Sequence, residues 1–249
     1  MNLVKSALAS AVLLAAATGA HATPINGASL QNIINGLYSC ATCSSVGQAP
    51  DVVTDQAAPD EAWAIEASGS SIATIVLELA GYADQNILGV YDINNPSSRV
   101  QLFGGAASSG SSVALSFDDT GLVYRNFGST GVSFAGGYFG YYLQTPDNIF
   151  YSQAFLNPGG SDQMVAFQGD GDRIKLPTKP AGIWGPSSYI LAWEDLPYGG
   201  SDRDFDDFVV YVESVTAVPE PGTLALFGLG LLGLGMAAGR RNRSVGAQR

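Results

Sequence analysis

Residues 72–80 read Ile72-Ala73-Thr74-Ile75-Val76-Leu77-Glu78-Leu79-Ala80 and carry the strongest indication of the fold class. It is rich in β-branched residues and leucine, which favours a half-buried strand. Similar runs recur between turns rich in Gly, Asn, Asp, Ser and Pro, at residues 86–92, 99–103, 112–117, 122–124, 138–143, 148–151, 163–168, 189–193 and 208–214. About ten short strands with no alternating helices predict an all-β fold, an antiparallel β-sandwich of the jelly-roll kind.

A helical pattern precedes these strands. Over residues 26–37 the apolar side chains recur at helical spacing, and Ser29 is a candidate cap. The apolar residues of the pattern are Ile25, Leu30, Ile33, Ile34 and Leu37. The sequence therefore predicts one short helix before the β-domain.

The first 22 residues are typical of a signal peptide. Lys5 supplies the positive charge, residues 7–17 are almost entirely apolar, and Ala20-His21-Ala22 gives the small-x-small pattern that signal peptidase requires. The apolar run is shorter than the about 20 residues of a membrane-spanning helix; a buried N-terminal helix is the alternative. We therefore predict export, cleavage by signal peptidase, and a mature chain that begins near Thr23.

Cys40 and Cys43 form a Cys-x-x-Cys pair. Because the predicted compartment is periplasmic or extracellular, a small structural disulfide is favoured, and a redox role is the alternative. Two cysteines alone do not complete a tetrahedral structural zinc site.

The C-terminal end has three parts in a fixed order. The sequence Val218-Pro219-Glu220-Pro221-Gly222 is followed by an apolar run, residues 223–239, and then by Arg240, Arg241, Arg243 and Arg249. The prolines interrupt regular structure, and the run has the length of a short transmembrane helix with its arginines on the cytoplasmic side. Glycines within the run weaken such a helix. These features predict recognition by a membrane-embedded processing enzyme, with a simple single-pass anchor as the alternative.

Residues 218–243 resemble the PEP-CTERM sorting signal, which is found on exported proteins of Gram-negative bacteria that make extracellular polysaccharide. In that family an exosortase recognises and cleaves the tail. The resemblance implies a precursor anchored in the inner membrane, followed by delivery to the cell surface or extracellular matrix. It also implies that the sorting residues are Val218, Pro219, Glu220, Pro221, Arg240 and Arg241.

The predicted organisation has four parts. They are a signal peptide (1–22), a helix with the Cys-x-x-Cys loop (23–59), a β-sandwich domain (60–217), and a sorting tail (218–249) with a transmembrane helix (223–239) and a basic end (240–249).

The part of the chain between the signal peptide and the tail is strongly acidic. It holds six basic and twenty-one acidic residues, a net charge of −15. This charge argues against nucleic acid and anionic membranes as partners. It suits either a protein that must stay soluble outside the cell or one that collects divalent cations. The single histidine, His21, leaves with the signal peptide, which excludes Ser-His and Cys-His nucleophiles and His-ligated zinc. Two-carboxylate glycoside hydrolysis stays open.

Residues 194–207 concentrate six acidic residues: Glu194, Asp195, Asp202, Asp204, Asp206 and Asp207. Their repulsion requires compensation by cations, Arg203 or backbone N–H groups. In an extended segment, the alternating residues Asp202, Asp204 and Asp206 would point the same way. Oxygen ligands in this number predict a Ca²⁺ site, although the spacing is not that of an EF-hand. Structural hydrogen bonding or turn-capping by Asp is the alternative. Residues 169–172, Gly-Asp-Gly-Asp, are a weaker candidate and favour a turn.

Residues 192–196 (Ala-Trp-Glu-Asp-Leu) and 199–208 (Gly-Gly-Ser-Asp-Arg-Asp-Phe-Asp-Asp-Phe) are similar to the signature of an uncharacterised β-rich domain family, common in exported and PEP-CTERM proteins. That family commonly has Tyr-Asn where this chain has Phe205-Asp206. Residues 79–82 and 89–92 are also typical of it, which extends the resemblance over 60–215. The family has no established enzymatic activity, so the resemblance implies a fold and a location.

These observations favour a non-enzymatic surface or matrix protein that is associated with exopolysaccharide and stabilised by Ca²⁺. A carbohydrate-binding module is the alternative, with exposed Trp184, Tyr189 or Tyr198 as a stacking platform. A glycoside hydrolase that pairs Glu194 with an aspartate is less favoured, because adjacent acids in a turn are poorly placed for the two-carboxylate mechanism.

Overall fold

The structure is a computed structural model that describes residues 23–43, 49–66, 69–78 and 84–219. Two predicted segments, the signal peptide and the transmembrane run 223–239, lie outside the described residues. Among the described residues no helix has the length and hydrophobicity needed to cross a membrane.

One α-helix and fifteen strands form within the described ranges. The helix, α1, is Ala28–Leu37. The strands are β1 Ala62–Ile65, β2 Ser70–Glu78, β3 Ile87–Asp92, β4 Asn95–Phe103, β5 Ser112–Phe117, β6 Leu122–Arg125, β7 Gly128–Ser133, β8 Tyr138–Gln144, β9 Ile149–Tyr151, β10 Met164–Gln168, β11 Asp172–Ile174, β12 Gly182–Trp184, β13 Ser188–Trp193, β14 Phe208–Glu213 and β15 Val215–Val218.

The strands form two large antiparallel sheets and one small one. A seven-stranded sheet has the order β10-β13-β14-β2-β5-β6-β7, and a six-stranded sheet has the order β15-β1-β8-β3-β4 with β9 paired to β8. The third sheet is the hairpin of β11 and β12. The mostly-β, antiparallel prediction with one N-terminal helix is therefore confirmed, whereas jelly-roll connectivity stays a prediction.

Both faces of the seven-stranded sheet are buried around β13. Successive side chains of a strand point to opposite faces, so Leu191 and Trp193 enter the core that the two large sheets share. Ile190 and Ala192 enter a second core on the outer face of the seven-stranded sheet. Every residue of β13 is buried as a result, which explains its continuous apolar sequence.

The helix α1 covers this outer face. Leu30, Ile34 and Leu37 are buried in the second core, together with Trp184 of β12 and Phe205. Apolar residues at i, i+4 and i+7 lie on one face of a helix, which is why this stripe docks on the sheet.

The predicted cap of α1 is wrong. The capping residue is Gly27, and Ser29 lies inside the first turn of the helix. The Ser29 hydroxyl instead donates a hydrogen bond to Oδ2 of Asp206. The helix therefore begins at Ala28, one residue before Ser29. The Ser29 side chain binds the acidic loop and does not cap the helix.

The last strand ends inside the sorting motif. Val218 is the final residue of β15 and is paired with Ala62 of β1. Pro219, which follows, is exposed. The packed β-structure thus extends to the residue before the first proline of the motif.

Candidate metal centre

The acidic residues lie on the loop that joins β13 to β14. These strands pair antiparallel, with Trp193 opposite Phe208. The loop, residues 194–207, therefore leaves and returns at the same end of the seven-stranded sheet. This geometry brings Glu194 and Asp195 close to the acids at the end of the loop.

Three of the six carboxylates converge. One oxygen each from Glu194, Asp202 and Asp204 lies within 4.8 Å of the other two. Two oxygens bound to the same Ca²⁺ at 2.3–2.6 Å are separated by at most about 5 Å. The spacing therefore fits hard oxygen ligands of one ion. Glu194 is buried, Asp204 is half-buried and Asp202 is exposed, so the cluster opens to solvent on one side.

The loop folds around the Glu194 carboxylate. Its Oε1 accepts a hydrogen bond from the backbone N–H of Phe205 at 2.8 Å, and its Oε2 accepts one from the Ser201 hydroxyl. The Ser201 hydroxyl oxygen in turn accepts the N–H of Arg203 at 2.9 Å. One buried carboxylate thus fixes the path of the chain from residue 201 to residue 205.

The expectation that residues 202–206 form an extended segment is wrong. Arg203 has φ +62° and Phe205 has φ +54°, so both adopt the left-handed conformation. Such residues turn the chain, and the alternation of a strand is lost. As a result Asp202 and Asp204 meet Glu194, while Asp206 turns toward Ser29 of α1.

The structure does not bring Asp195, Asp206 and Asp207 into the same cluster of three. The carboxylate of Asp195 accepts a hydrogen bond from Asn86 Nδ2 at 3.1 Å. Asp207 accepts the backbone N–H of Asp195 at 2.9 Å. The bonds from Asn86 and Ser29 tie the loop to its surroundings, and the bond between Asp195 and Asp207 joins the two ends of the loop. These contacts agree with the alternative of structural hydrogen bonding.

Burial and mutual repulsion raise the pKa of three carboxyl groups in the loop, those of Glu194, Asp204 and Asp207. Burial, and then the charge of Asp206, raise the pKa of Asp204 to about 6. Burial also raises the pKa of Asp207 to about 8, with further contributions from Asp195 and Glu194. The pKa of Glu194 is raised by burial, although its hydrogen bonds from Ser201 and Phe205 oppose the shift. A bound cation would favour the charged form of each group.

Arg203 is the one basic residue of the loop. Its guanidinium lies over the ring of Tyr198, with Cζ 3.8 Å from the ring centre. The backbone of Arg203 is held separately, because its carbonyl accepts the N–H of Asn26 at 2.7 Å.

The three aromatic rings predicted to form the stacking platform of a carbohydrate-binding module are not all exposed. Trp184 is 1% exposed and Tyr189 is 4% exposed. Trp184 donates its indole N–H to the carbonyl of Ser188 at 3.1 Å, and Tyr189 packs edge-on against Trp63. Tyr198 is half-buried beneath Arg203. The prediction that these three rings are exposed is therefore wrong for Trp184 and Tyr189, because both belong to the core.

Two smaller motifs have structural roles in the described residues. Cys40 and Cys43 are joined by a disulfide, with their Cα atoms 5.1 Å apart. In the Gly-Asp-Gly-Asp stretch, Asp172 is buried and accepts a hydrogen bond from the Tyr38 hydroxyl at 2.6 Å. That stretch connects β10 to β11 through a bend, as the sequence predicted.

Protein-family comparisons identify two regions of the chain. Residues 217–243 match the PEP-CTERM protein-sorting motif, and residues 132–215 match a domain of unknown function (DUF4114). Searches of curated proteins and of solved structures found no match. The chain therefore carries a PEP-CTERM sorting motif and, before it, a region that matches a domain of unknown function. The motif implies an exported precursor that passes through the membrane of a Gram-negative bacterium and is processed by an exosortase.

Sequence reasoning missed the polar partners of the acidic loop. Asn26, Ser29 and Asn86 contact the loop from residues more than 100 positions away in the chain. No local pattern marks such residues. Only Ser201, which lies within the loop next to the acids, had a signal that could have been recognised, because Ser at a turn commonly binds nearby backbone.

Proposed function

We propose that this chain is a non-enzymatic protein of the cell surface or extracellular matrix, associated with exopolysaccharide and stabilised by Ca²⁺ in loop 194–207. The observation that carries the proposal is the convergence of Glu194, Asp202 and Asp204 within 4.8 Å, on a chain whose tail is an exosortase sorting motif.

Calcium accounts for the charge of the loop. Six carboxylates occur within fourteen positions. Burial, and then repulsion from Asp206, raise the pKa of Asp204, and a divalent cation would oppose both effects by favouring the charged form. Ca²⁺ accepts irregular sets of carboxylate, carbonyl and water oxygens, so three protein carboxylates are a sufficient core for a site. Because the ion binds the folded loop and not the unfolded chain, it would stabilise the fold.

A structural role for Glu194 supports a non-enzymatic protein. Both oxygens of this carboxylate already accept hydrogen bonds from the loop, from Phe205 N–H and from Ser201. A catalytic acid or nucleophile must instead present an oxygen to a substrate. The residue best placed by sequence for hydrolysis is therefore occupied in holding the loop.

The proposed association with exopolysaccharide is supported by the negative charge of the protein and by its proposed location at the cell surface or in the matrix. The part of the chain between the signal peptide and the tail carries a net charge of −15. This charge repels an anionic glycan unless divalent cations lie between the two. Asp202 is exposed at the rim of the cluster. A Ca²⁺ ion there would have coordination positions left for a glycan carboxylate, because Ca²⁺ takes 6–8 ligands.

The calcium proposal is tested by thermal melting of the chain that has lost its signal peptide and keeps its C-terminal tail, purified in detergent. We expect Ca²⁺ to raise the melting temperature by several degrees over the same protein in chelator, and Mg²⁺ at equal concentration to raise it less. Asp202→Asn replaces a charged ligand with a neutral one at an exposed position and should reduce the Ca²⁺ effect severalfold. Asp119→Asn, at an exposed site far along the chain from the loop, should retain it.

Two outcomes would contradict the proposal. One is a melting temperature of the wild-type protein that does not respond to Ca²⁺. The other is an equal response in the wild-type protein and Asp202→Asn, which would assign the ion to another site.

A further inference from the structure

Thr23, the residue at which we predict that the mature chain begins, is held in place by two distant segments. Its backbone N–H donates to Oε1 of Gln56 at 2.7 Å, and its carbonyl accepts from Nε2 of the same side chain at 2.9 Å. Its hydroxyl donates to Oδ2 of Asp162 at 2.5 Å. The Gln56 amide is itself anchored, because Nε2 also donates to the carbonyl of Val52 at 3.1 Å.

The carboxylate that Thr23 contacts is one of a pair of acids. Burial raises the pKa of Asp60 well above its ordinary value, and the charge of Asp162 raises it further. Glu61 adds a smaller contribution of the same sign. Burial also raises the pKa of Asp162, against hydrogen bonds from Thr23 and from the N–H of Met164. Among the described residues, the interactions that set these two pKa values include no basic side chain.

Hydrolysis of the Ala22–Thr23 bond would supply the missing charge. Water adds across the peptide bond, so that Ala22 leaves as a carboxylate and the nitrogen of Thr23 becomes a primary amine. An α-amine has an ordinary pKa of about 7.7–8.0 and is mostly protonated at neutral pH. The same nitrogen now offers more donors than the single N–H that Gln56 accepts. It is joined through Cα and Cβ to the hydroxyl that touches Asp162, so the new charge lies within reach of the acid pair.

We propose that signal-peptide cleavage completes a charged binding site for the chain's own new N-terminus, in which the α-ammonium of Thr23 forms an ion pair with Asp162 and Asp60. The site is built before cleavage, because Gln56 holds the nitrogen in position through both backbone groups of Thr23. Removal of the signal peptide then stabilises the domain as well as releasing it. This inference goes beyond the proposed function and does not depend on calcium.

The pH dependence of this ion pair has a definite sign. The Thr23 side chain contacts Asp162, and the charges that act on the neighbouring Asp60 are those of Asp162 and Glu61. All three groups are acidic, so the proposal places the pKa of the amine in the folded protein above its ordinary value. Its contribution to stability is fully present below about pH 7.7 and is lost as the pH rises through the raised pKa.

The test uses the full chain, exported and processed by a bacterial host and purified in detergent and chelator, with its N-terminus verified by mass spectrometry. Near neutral pH an acylating reagent modifies the α-amine ahead of the more basic lysines. We expect acetylation of Thr23 to lower the melting temperature by about 3 °C. In the double variant Asp60→Asn/Asp162→Asn, acetylation should leave the melting temperature unchanged. An equal loss in both proteins, or no loss in the wild-type protein, would overturn the proposal.

A second measurement does not require the double variant to fold. The rate of acetylation of the wild-type protein is followed as a function of pH, which gives the pKa of the Thr23 amine. The proposal requires a value above 8.0, the upper end of the ordinary range. An ordinary or lowered value would contradict it. A mature chain that begins at a residue other than Thr23 would also contradict it.

Discussion

Glu194 is the residue on which the acidic loop depends. It is 0% exposed, and its two oxygens accept hydrogen bonds from the Phe205 N–H and the Ser201 hydroxyl. We predict that Glu194→Ala lowers the free energy of unfolding by about 2 kcal/mol in chelator, because it leaves the N–H of Phe205 without its acceptor. Chemical denaturation of the full chain measures the change.

The control for this prediction is Glu66→Ala. Glu66 is an exposed residue of the same type, and its removal should change the free energy of unfolding by less than about 0.5 kcal/mol. If the two variants lose the same stability, Glu194 does not hold the loop as described.

Asp204 and Asp207 give the loop a characteristic pH dependence. Their pKa values in the folded protein, about 6 and about 8, lie above the value of about 3.9 expected in the unfolded chain. The folded state therefore binds more protons than the unfolded state over this range, so the metal-free protein loses stability as the pH rises from about 4 to about 8. Denaturation in chelator at a series of pH values measures this slope.

Asp207→Asn isolates one of the two groups. The amide oxygen still accepts the N–H of Asp195 that Asp207 now accepts, but it does not titrate. We expect the decline between about pH 6 and pH 8 to become shallower in this variant. A slope as steep as that of the wild-type protein would assign the titration to other groups.

At the residue scale, the sequence predicted which acidic residues could form a site. It did not predict which three of them converge and which three make hydrogen bonds elsewhere. Composition alone marks all six acids of loop 194–207. The division follows from the left-handed φ values of Arg203 and Phe205, which are conformations that non-glycine residues rarely adopt and that no pattern in the loop indicates. The contact between Ser29 and Asp206 joins positions 177 residues apart, which local reasoning does not reach.

At the scale of secondary structure, the long apolar strands were predictable, as were the short strands β6 and β9. β13 and β14 match the predicted runs 189–193 and 208–214 closely, because both are predominantly apolar. β7 was missed, since Gly128-Ser129-Thr130-Gly131-Val132-Ser133 has the composition of a turn and is held as a strand by its pairing with β6. β1, β11, β12 and β15, of three or four residues each, were also missed.

Two glycines provide a matched test of element packing. Gly140 lies in β8, and a Cβ added there would overlap the ring of buried Tyr91. That ring is fixed by a hydrogen bond from its hydroxyl to Gln153 at 2.8 Å. We therefore expect Gly140→Ala to lower the free energy of unfolding by about 1–3 kcal/mol, as measured by chemical denaturation.

Gly36 is the control for the glycine prediction. It lies in α1, is exposed, and has open space where a Cβ would be added. Because alanine favours a helix over glycine, Gly36→Ala should raise the free energy of unfolding by about 0.5–1 kcal/mol. Equal effects of the same sign at both positions would contradict the packing of Gly140 against Tyr91.

At the scale of the whole molecule, the matched β-rich family covers only part of a larger folded unit. The match spans residues 132–215 and includes β8 and β14. β8 pairs with β1 and β3, and β14 pairs with β2, all of which precede the matched region. The sheets of the matched region are therefore completed by residues from 62 onward.

The whole molecule also couples its domain closely to its sorting signal. β15 ends at Val218, which is paired with β1, and the first proline of the motif follows directly. The packed domain thus extends directly into the region that matches the sorting motif, residues 217–243.

The most direct test of the account is the intact mass of this protein purified from the extracellular matrix of its native host. We predict a chain that begins at Thr23, retains the domain through Val218, and lacks the arginine-bearing end from Arg240 onward. Pro219→Ala combined with Pro221→Ala should leave the uncleaved chain in the membrane fraction. A matrix protein with Arg249 still attached, or a chain confined to the cytosol with Met1 in place, would contradict the account.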